Sequence, residues 1–184
     1  MKKNLLAIAF DLMETGSAGS RAIDDAIWDV GWHGFECILA PFRAAGDWVE
    51  MIITSVRIAT YQPPPGEPRP ITFTAARIEG RVLEGDRAAP FLIRVGKGLA
   101  FESKRLVFLD STGLVRRVVS LHESGWHAHY RLLRELMTQS CPDLQLNLAD
   151  TITVVKLCAC ASRLAVDSGT YPFGTTPDFL LGSF

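Results

Sequence analysis

The sequence predicts an α+β domain in which N-terminal helices pack on a curved antiparallel sheet, with an extra C-terminal helix and a tail. Three observations predict it. Residues 4 to 46 carry apolar side chains at helical spacing, whereas from Asp47 the chain turns to β-favouring residues. The apolar runs that follow are separated by Glu84-Gly85-Asp86, Gly96-Lys97-Gly98 and Asp110-Ser-Thr-Gly113, which tolerate positive φ or close Asx turns, as hairpins require. After Gly125 the spacing returns to that of a helix.

In order, Leu5, Leu6, Ala9, Leu12 and Met13 predict a first helix, with Asp11 and Glu14 interrupting what would otherwise be the apolar run of a secretory leader. Gly16 and Gly19 end it, and Ser20 caps a second helix carrying Ala22, Ile23, Ala26, Ile27 and Val30. A third short helix runs from Glu36 to Ala45, limited or kinked by Pro41 and ended by Gly46. Val49, Met51, Ile53, Val56, Ile58 and Tyr61 form the first long strand. The segment Pro63-Pro-Pro-Gly-Glu-Pro-Arg-Pro70 cannot join a ladder and reads as an extended exposed loop.

Further strands are expected over Ile71 to Val82, Ala88 to Val95, Leu99 to Leu109 and Leu114 to Leu121, forming an antiparallel meander. Trp126, Tyr130, Leu133 and Met137 share one face of a helix over Trp126 to Thr138. The run Thr151 to Ala161 fits a buried strand or a helix, with strand preferred at its start. The tail, Asp167 to Phe184, reads as a loop whose Tyr171, Phe173 and Phe179 dock on a core or on another subunit.

At 184 residues and 48% hydrophobic, the chain supports one domain, 1–184, divided into a helical layer (1–46), a sheet (47–122) and a C-terminal helix, apolar segment and tail (123–184). With 19 basic against 20 acidic residues and no dense basic cluster, it offers no row of charges to phosphates, so no nucleic-acid partner is expected. No run reaches the roughly 20 apolar residues of a membrane helix, so no membrane partner is expected. Cys37, Cys141, Cys158 and Cys160 lack paired C-x-x-C spacing, and reduced thiols in a cytoplasmic protein are the simplest account.

The segments Glu84-Gly-Asp-Arg-Ala-Ala and Leu106-Val-Phe-Leu-Asp-Ser-Thr-Gly-Leu-Val-Arg-Arg-Val, after the helices Leu5 to Glu14 and Ile23 to Gly34 with their Trp-His-Gly exit, resemble the cone-shaped, barrel-like α+β fold of the nuclear-transport-factor-2-like superfamily. SnoaL-like polyketide cyclases and ketosteroid isomerases belong to it. The resemblance implies an apolar pocket between helices and sheet, and a small-molecule enzyme or ligand-binding protein, foremost a cofactor-independent acid/base isomerase or cyclase. The alternative is a non-catalytic, dimeric interaction module that uses the proline loop and aromatic tail.

On that reading Asp29, His33 and His122 are the candidate catalytic residues, since a carboxylate or imidazole in an apolar pocket is suited to proton abstraction beside a carbonyl. The bland counterparts are a solvated Asp29, a His33 that bonds to a helix end and a surface His122. Trp28 and Trp32, at i, i+4, and Tyr61 would line a pocket for a small apolar or polycyclic ligand, although ordinary core packing also explains them. Asp11 is a further pocket candidate, and Arg57 is expected to face outward. His122, His127 and His129 raise a metal site, but residues two apart on a helix face different ways, so neither metal nor cofactor is expected. A homodimer is the expected assembly.

Overall fold

The structure, a computed structural model, describes residues 5–15, 26–43, 49–62, 73–110, 114–120 and 148–182. The first element is a strand, β1 (Leu5–Met13), not a helix. Ala7, Ile8, Ala9 and Phe10 are each at most 6% exposed, so the strand is buried on both faces. An apolar run of that kind carries no alternation, and its spacing also fits a helix.

A five-residue π-helical turn, Ile27–Gly31, leads directly into α1 (Trp32–Arg43). Phe35, Ile38, Leu39 and Phe42 are buried at i, i+3, i+4 and i+7, which fixes the face α1 turns to the sheet. Gly34 permits the approach, because a Cβ there would lie 2.8 Å from Cγ2 of Ile93. Pro41 sits in the last turn, where it deprives the Cys37 carbonyl of its intrahelical donor close to the helix end. Within the described residues, the expected second and third helices are thus one element with a π-helical start.

The strands β2 (Glu50–Tyr61), β3 (Phe73–Glu84) and β4 (Arg87–Gly96) form an antiparallel meander, the first part of the longer one expected from the turn residues, which β1 interrupts after β4. Gly85, with φ of +57°, makes the tight turn between β3 and β4. The strands β5 (Ser103–Asp110) and β6 (Val115–Ser120) pair as an antiparallel hairpin. The apolar segment near residue 151 is a helix from its start, α2 (Leu148–Leu164), burying Val154, Leu157, Cys158 and Ala161. The tail is not simply a loop: it contains β7 (Ala165–Tyr171) and a short helix α3 (Asp178–Leu181).

Among the described residues the strands form one open, seven-stranded mixed sheet in the order β6-β5-β1-β4-β3-β2-β7. β1 lies between β5 and β4, antiparallel to the first and parallel to the second, and β7 runs parallel to β2. This topology corrects the expected fold: the sheet is not purely antiparallel, and it is not preceded by a helical layer. The resemblance to the nuclear-transport-factor-2-like superfamily falls with it, since that reading needed Leu5 to Glu14 as a roof helix. Ile8, Phe10, Ile78, Phe91, Ile93 and Phe108 from the sheet pack with the buried faces of α1 and α2 in one continuous core.

The opposite face carries an unusual row. Arg57, Arg77, Arg94, Asp11 and Arg105 are successive cross-strand partners on β2, β3, β4, β1 and β5, so all five side chains leave the same face. The chain beyond β7 lies against this face, with Phe179 and Leu180 buried beside Met13, Ala59, Tyr61, Ala75 and Leu99, and with Tyr171 and Phe173 packed on them. The tail aromatics therefore dock on the protein's own sheet. The proline segment and the helix expected over Trp126 to Thr138 lie outside the described residues.

Candidate functional site

β1 and β4 are parallel neighbours, and both end at the same rim of the sheet, at Met13 and Gly96. Glu14 N donates to Gly96 O, and Leu99 N donates back to Glu14 O, which ties the two strand ends together. Lys97 is the first residue beyond β4. Its ammonium donates to Oδ2 of Asp29 in the π-helical turn, and the two side chains are 21% and 22% exposed. Lys104 pairs with Glu14 at 2.7 Å on the same rim, and the bond to Glu14 raises the pKa of Lys104.

Aromatic residues flank Asp29 in the sequence, at Trp28, Trp32 and His33. Trp32 Nε1 donates to the Asp29 carbonyl at 3.0 Å, which closes the π-helical turn, and the Trp32 and His33 rings lie 3.5 Å apart between centroids. Trp28 is 42% exposed, an uncommon state for so large an apolar ring. A π-helical turn is a local insertion that often marks a functional position. Here it places a carboxylate on the ammonium at a strand end.

Four of the predicted site residues, Trp28, Asp29, Trp32 and His33, are thus neighbours in one short segment. Tyr61 belongs elsewhere. It is buried on the opposite face of the sheet, where its hydroxyl donates to the Thr175 carbonyl at 3.1 Å, and burial, with Tyr171 nearby, raises its pKa. Its phenol is committed to holding the tail rather than lining a ligand site with Trp28 and Trp32. His122, with His127 and His129, lies outside the described residues. Asp11 is 0% exposed and is not a pocket group: it accepts from Arg94 Nε (2.7 Å), Arg94 Nη2 (3.0 Å), Arg105 Nε (2.7 Å) and Ser103 Oγ (3.2 Å). Arg57 faces outward as expected, its guanidinium 5.2 Å from the Phe179 ring centroid.

Sequence reasoning missed Lys97, Arg77 and Arg94. Lys97 was visible only as the middle of a Gly-Lys-Gly turn. The arginine row had a legible local signal, a charged residue at an alternating position of each of several strands, but its register across the sheet was not. Among the described residues no group of three or more His, Cys, Asp or Glu side chains is placed to hold a metal ion, and no helix is long and apolar enough to cross a membrane.

No family model matches the chain, and no curated protein matches it. Among solved structures, the chain is similar to a point mutant of KijD10, a 3-ketoreductase from Actinomadura kijaniata in complex with TDP-benzene and NADP, at 12% identity and a TM-score of 0.47. The match covers 91% of this chain and 54% of that one, so the chain spans about half the length of that protein. A likeness of this strength assigns neither fold nor activity. The isomerase and cyclase expectation fell with the fold that implied it.

Proposed function

We propose that this domain binds a small polar molecule at the carboxyl end of β4, between the π-helical turn and the strand end. Lys97 and Asp29 are its polar contacts and Trp28 and Trp32 its apolar wall. Asp29 and His33 are the proton-handling groups we assign to the site. One observation carries the reading: the π-helical turn sets Asp29 on Lys97 beside an exposed Trp28. Both charges are only partly withdrawn from water, so a ligand can reach them without opening the core. The carboxyl ends of parallel strands are also where open sheets with such strands commonly bind ligands.

The test is a titration of the protein with a panel of small carbonyl and carboxylate compounds, read by tryptophan fluorescence and by amide shifts around Lys97. Lys97→Met should weaken binding about 10- to 100-fold, the range for losing a charged hydrogen bond, with the unfolding midpoint little changed. Trp28→Ala should weaken it as well. Binding that persists unchanged in both variants would refute the assignment.

A second reading, a non-catalytic interaction module, draws support from the continuous apolar core that the sheet forms with α1 and α2. It has lost the aromatic tail as its contact surface, because Phe179 is buried within the molecule. Deleting Pro63 to Pro70 and measuring partner association tests what is left of it.

A further inference from the structure

The arginine row lies on the sheet face opposite the proposed ligand site and is independent of it. Within the row and its flank, the described residues supply four guanidiniums, Arg57, Arg77, Arg94 and Arg105, against two carboxylates, Asp11 and Glu79. Arg94 and Arg77 are the withdrawn pair, with side chains 11% and 12% exposed. Each reaches its carboxylate through one part of the guanidinium, Arg94 to Asp11 and Arg77 to Glu79. The remaining donors turn to the C-terminal segment. Arg77 Nη1 donates to Phe179 O (3.0 Å) and Gly182 O (2.7 Å), and Arg94 Nη1 donates to Leu180 O (3.0 Å) and Gly182 O (3.3 Å).

Three carbonyl oxygens are thus gathered on two guanidinium nitrogens from adjacent strands, with the Gly182 oxygen shared between them. That is the donor arrangement a phosphate group would meet, with its terminal oxygens in place of the carbonyls. A carbonyl is a neutral acceptor. An oxyanion adds the attraction of opposite charge to the same donors, and the guanidinium fork can grip it through two bonds at once.

We propose that Arg77 and Arg94 form a binding site for a phosphate monoester, and that the C-terminal segment occupies it with its own main-chain oxygens. Anion and segment cannot hold the same donors, so each weakens the other, and a bound phosphate favours the conformation in which α3 is lifted. Lifting α3 also uncovers Arg57, which now lies over Phe179. Phe179 and Leu180 oppose this, since both are buried against the sheet. The segment is therefore a strap that a phosphate-bearing ligand displaces.

Hydrogen exchange of the full chain, with and without millimolar inorganic phosphate at constant ionic strength, tests the proposal. The amides of Leu180 to Gly182 should exchange several-fold faster with phosphate, Arg77→Gln should abolish the effect, and acetate should not reproduce it. Leu180→Ser, which removes the strap's buried anchor without adding a charge, should bind phosphate about tenfold more tightly than the native chain. Should that variant fail to fold, the exchange experiment on the native chain decides alone. Unchanged exchange in phosphate, or equal acceleration by acetate, would overturn the proposal.

Discussion

Replacing Asp11 with alanine is the most informative single change, because this carboxylate is fully buried and lies in the row between Arg94 and Arg105. Arg94 holds it through two donors and is itself largely withdrawn from water, whereas Arg105 is 48% exposed. Removing the carboxylate leaves the Arg94 guanidinium in a site built for a pair, and breaking a buried pair from one side costs about 3–5 kcal/mol. Arg105→Ala removes a half-exposed partner and should cost about 1 kcal/mol or less. Replacing both members, Asp11→Leu with Arg94→Met, should recover most of the loss, since a buried pair exchanged for apolar side chains of similar volume is often neutral. Urea unfolding followed by tryptophan fluorescence gives each stability by linear extrapolation. Arg94→Met also loses the bonds to the strap, but the cycle built from Asp11→Leu, Arg94→Met and the double variant cancels that contribution and isolates the pair. An Asp11→Ala loss under about 1 kcal/mol, or strict additivity in the cycle, would refute the account of Asp11 as the anchor of the row.

Gly80→Ala should cost about 3 kcal/mol or more, because a Cβ there would lie 2.2 Å from the Ile52 carbonyl oxygen and 2.5 Å from the Phe91 ring, and a main-chain atom cannot step aside. Gly85→Ala should cost only about 1–2 kcal/mol: its φ is +57° but open space surrounds it, so just the left-handed backbone is penalised; equal losses in the two variants on urea unfolding would contradict this distinction. Burial, then the nearby Tyr171, raises the pKa of Tyr61, so its contribution to stability is complete below the unfolded tyrosine value of about 10 and is lost as pH climbs from there towards the folded value. Tyr61→Phe should flatten that alkaline decline at the expense of the bond to Thr175, about 1 kcal/mol at neutral pH, and an unchanged decline would remove Tyr61 as its cause.

The β2–β3–β4 meander and the β5–β6 hairpin were readable because each strand is bounded by turn residues whose chemistry is local, such as Gly85 and Asp86. β1 was not. A central strand has the same apolar run that a buried helix has, and only its neighbours on β4 and β5, far along the sequence, settle the matter. α2 posed the same ambiguity and resolved the other way. β7 escaped notice because an edge strand rich in Gly, Ser and Thr has little to bury; Val166 is 63% exposed. For the site, Trp28, Asp29, Trp32 and His33 were legible as a group because they are contiguous. Their ionic partner Lys97, like the union of Arg57, Arg77, Arg94 and Arg105, depends on sheet register, which no short window of sequence encodes.

The position of β1 has a consequence for how the chain is made. Its parallel partner is β4, where Ile8 faces Phe91, so the first strand leaves the ribosome roughly eighty residues before the edge it must join. At about 5–20 residues per second that is an interval of about 4–16 s. Throughout it, a greasy ribbon with both rims unsatisfied has no native place to go. It is then the segment most apt to be captured by a chaperone or to stick to another nascent chain.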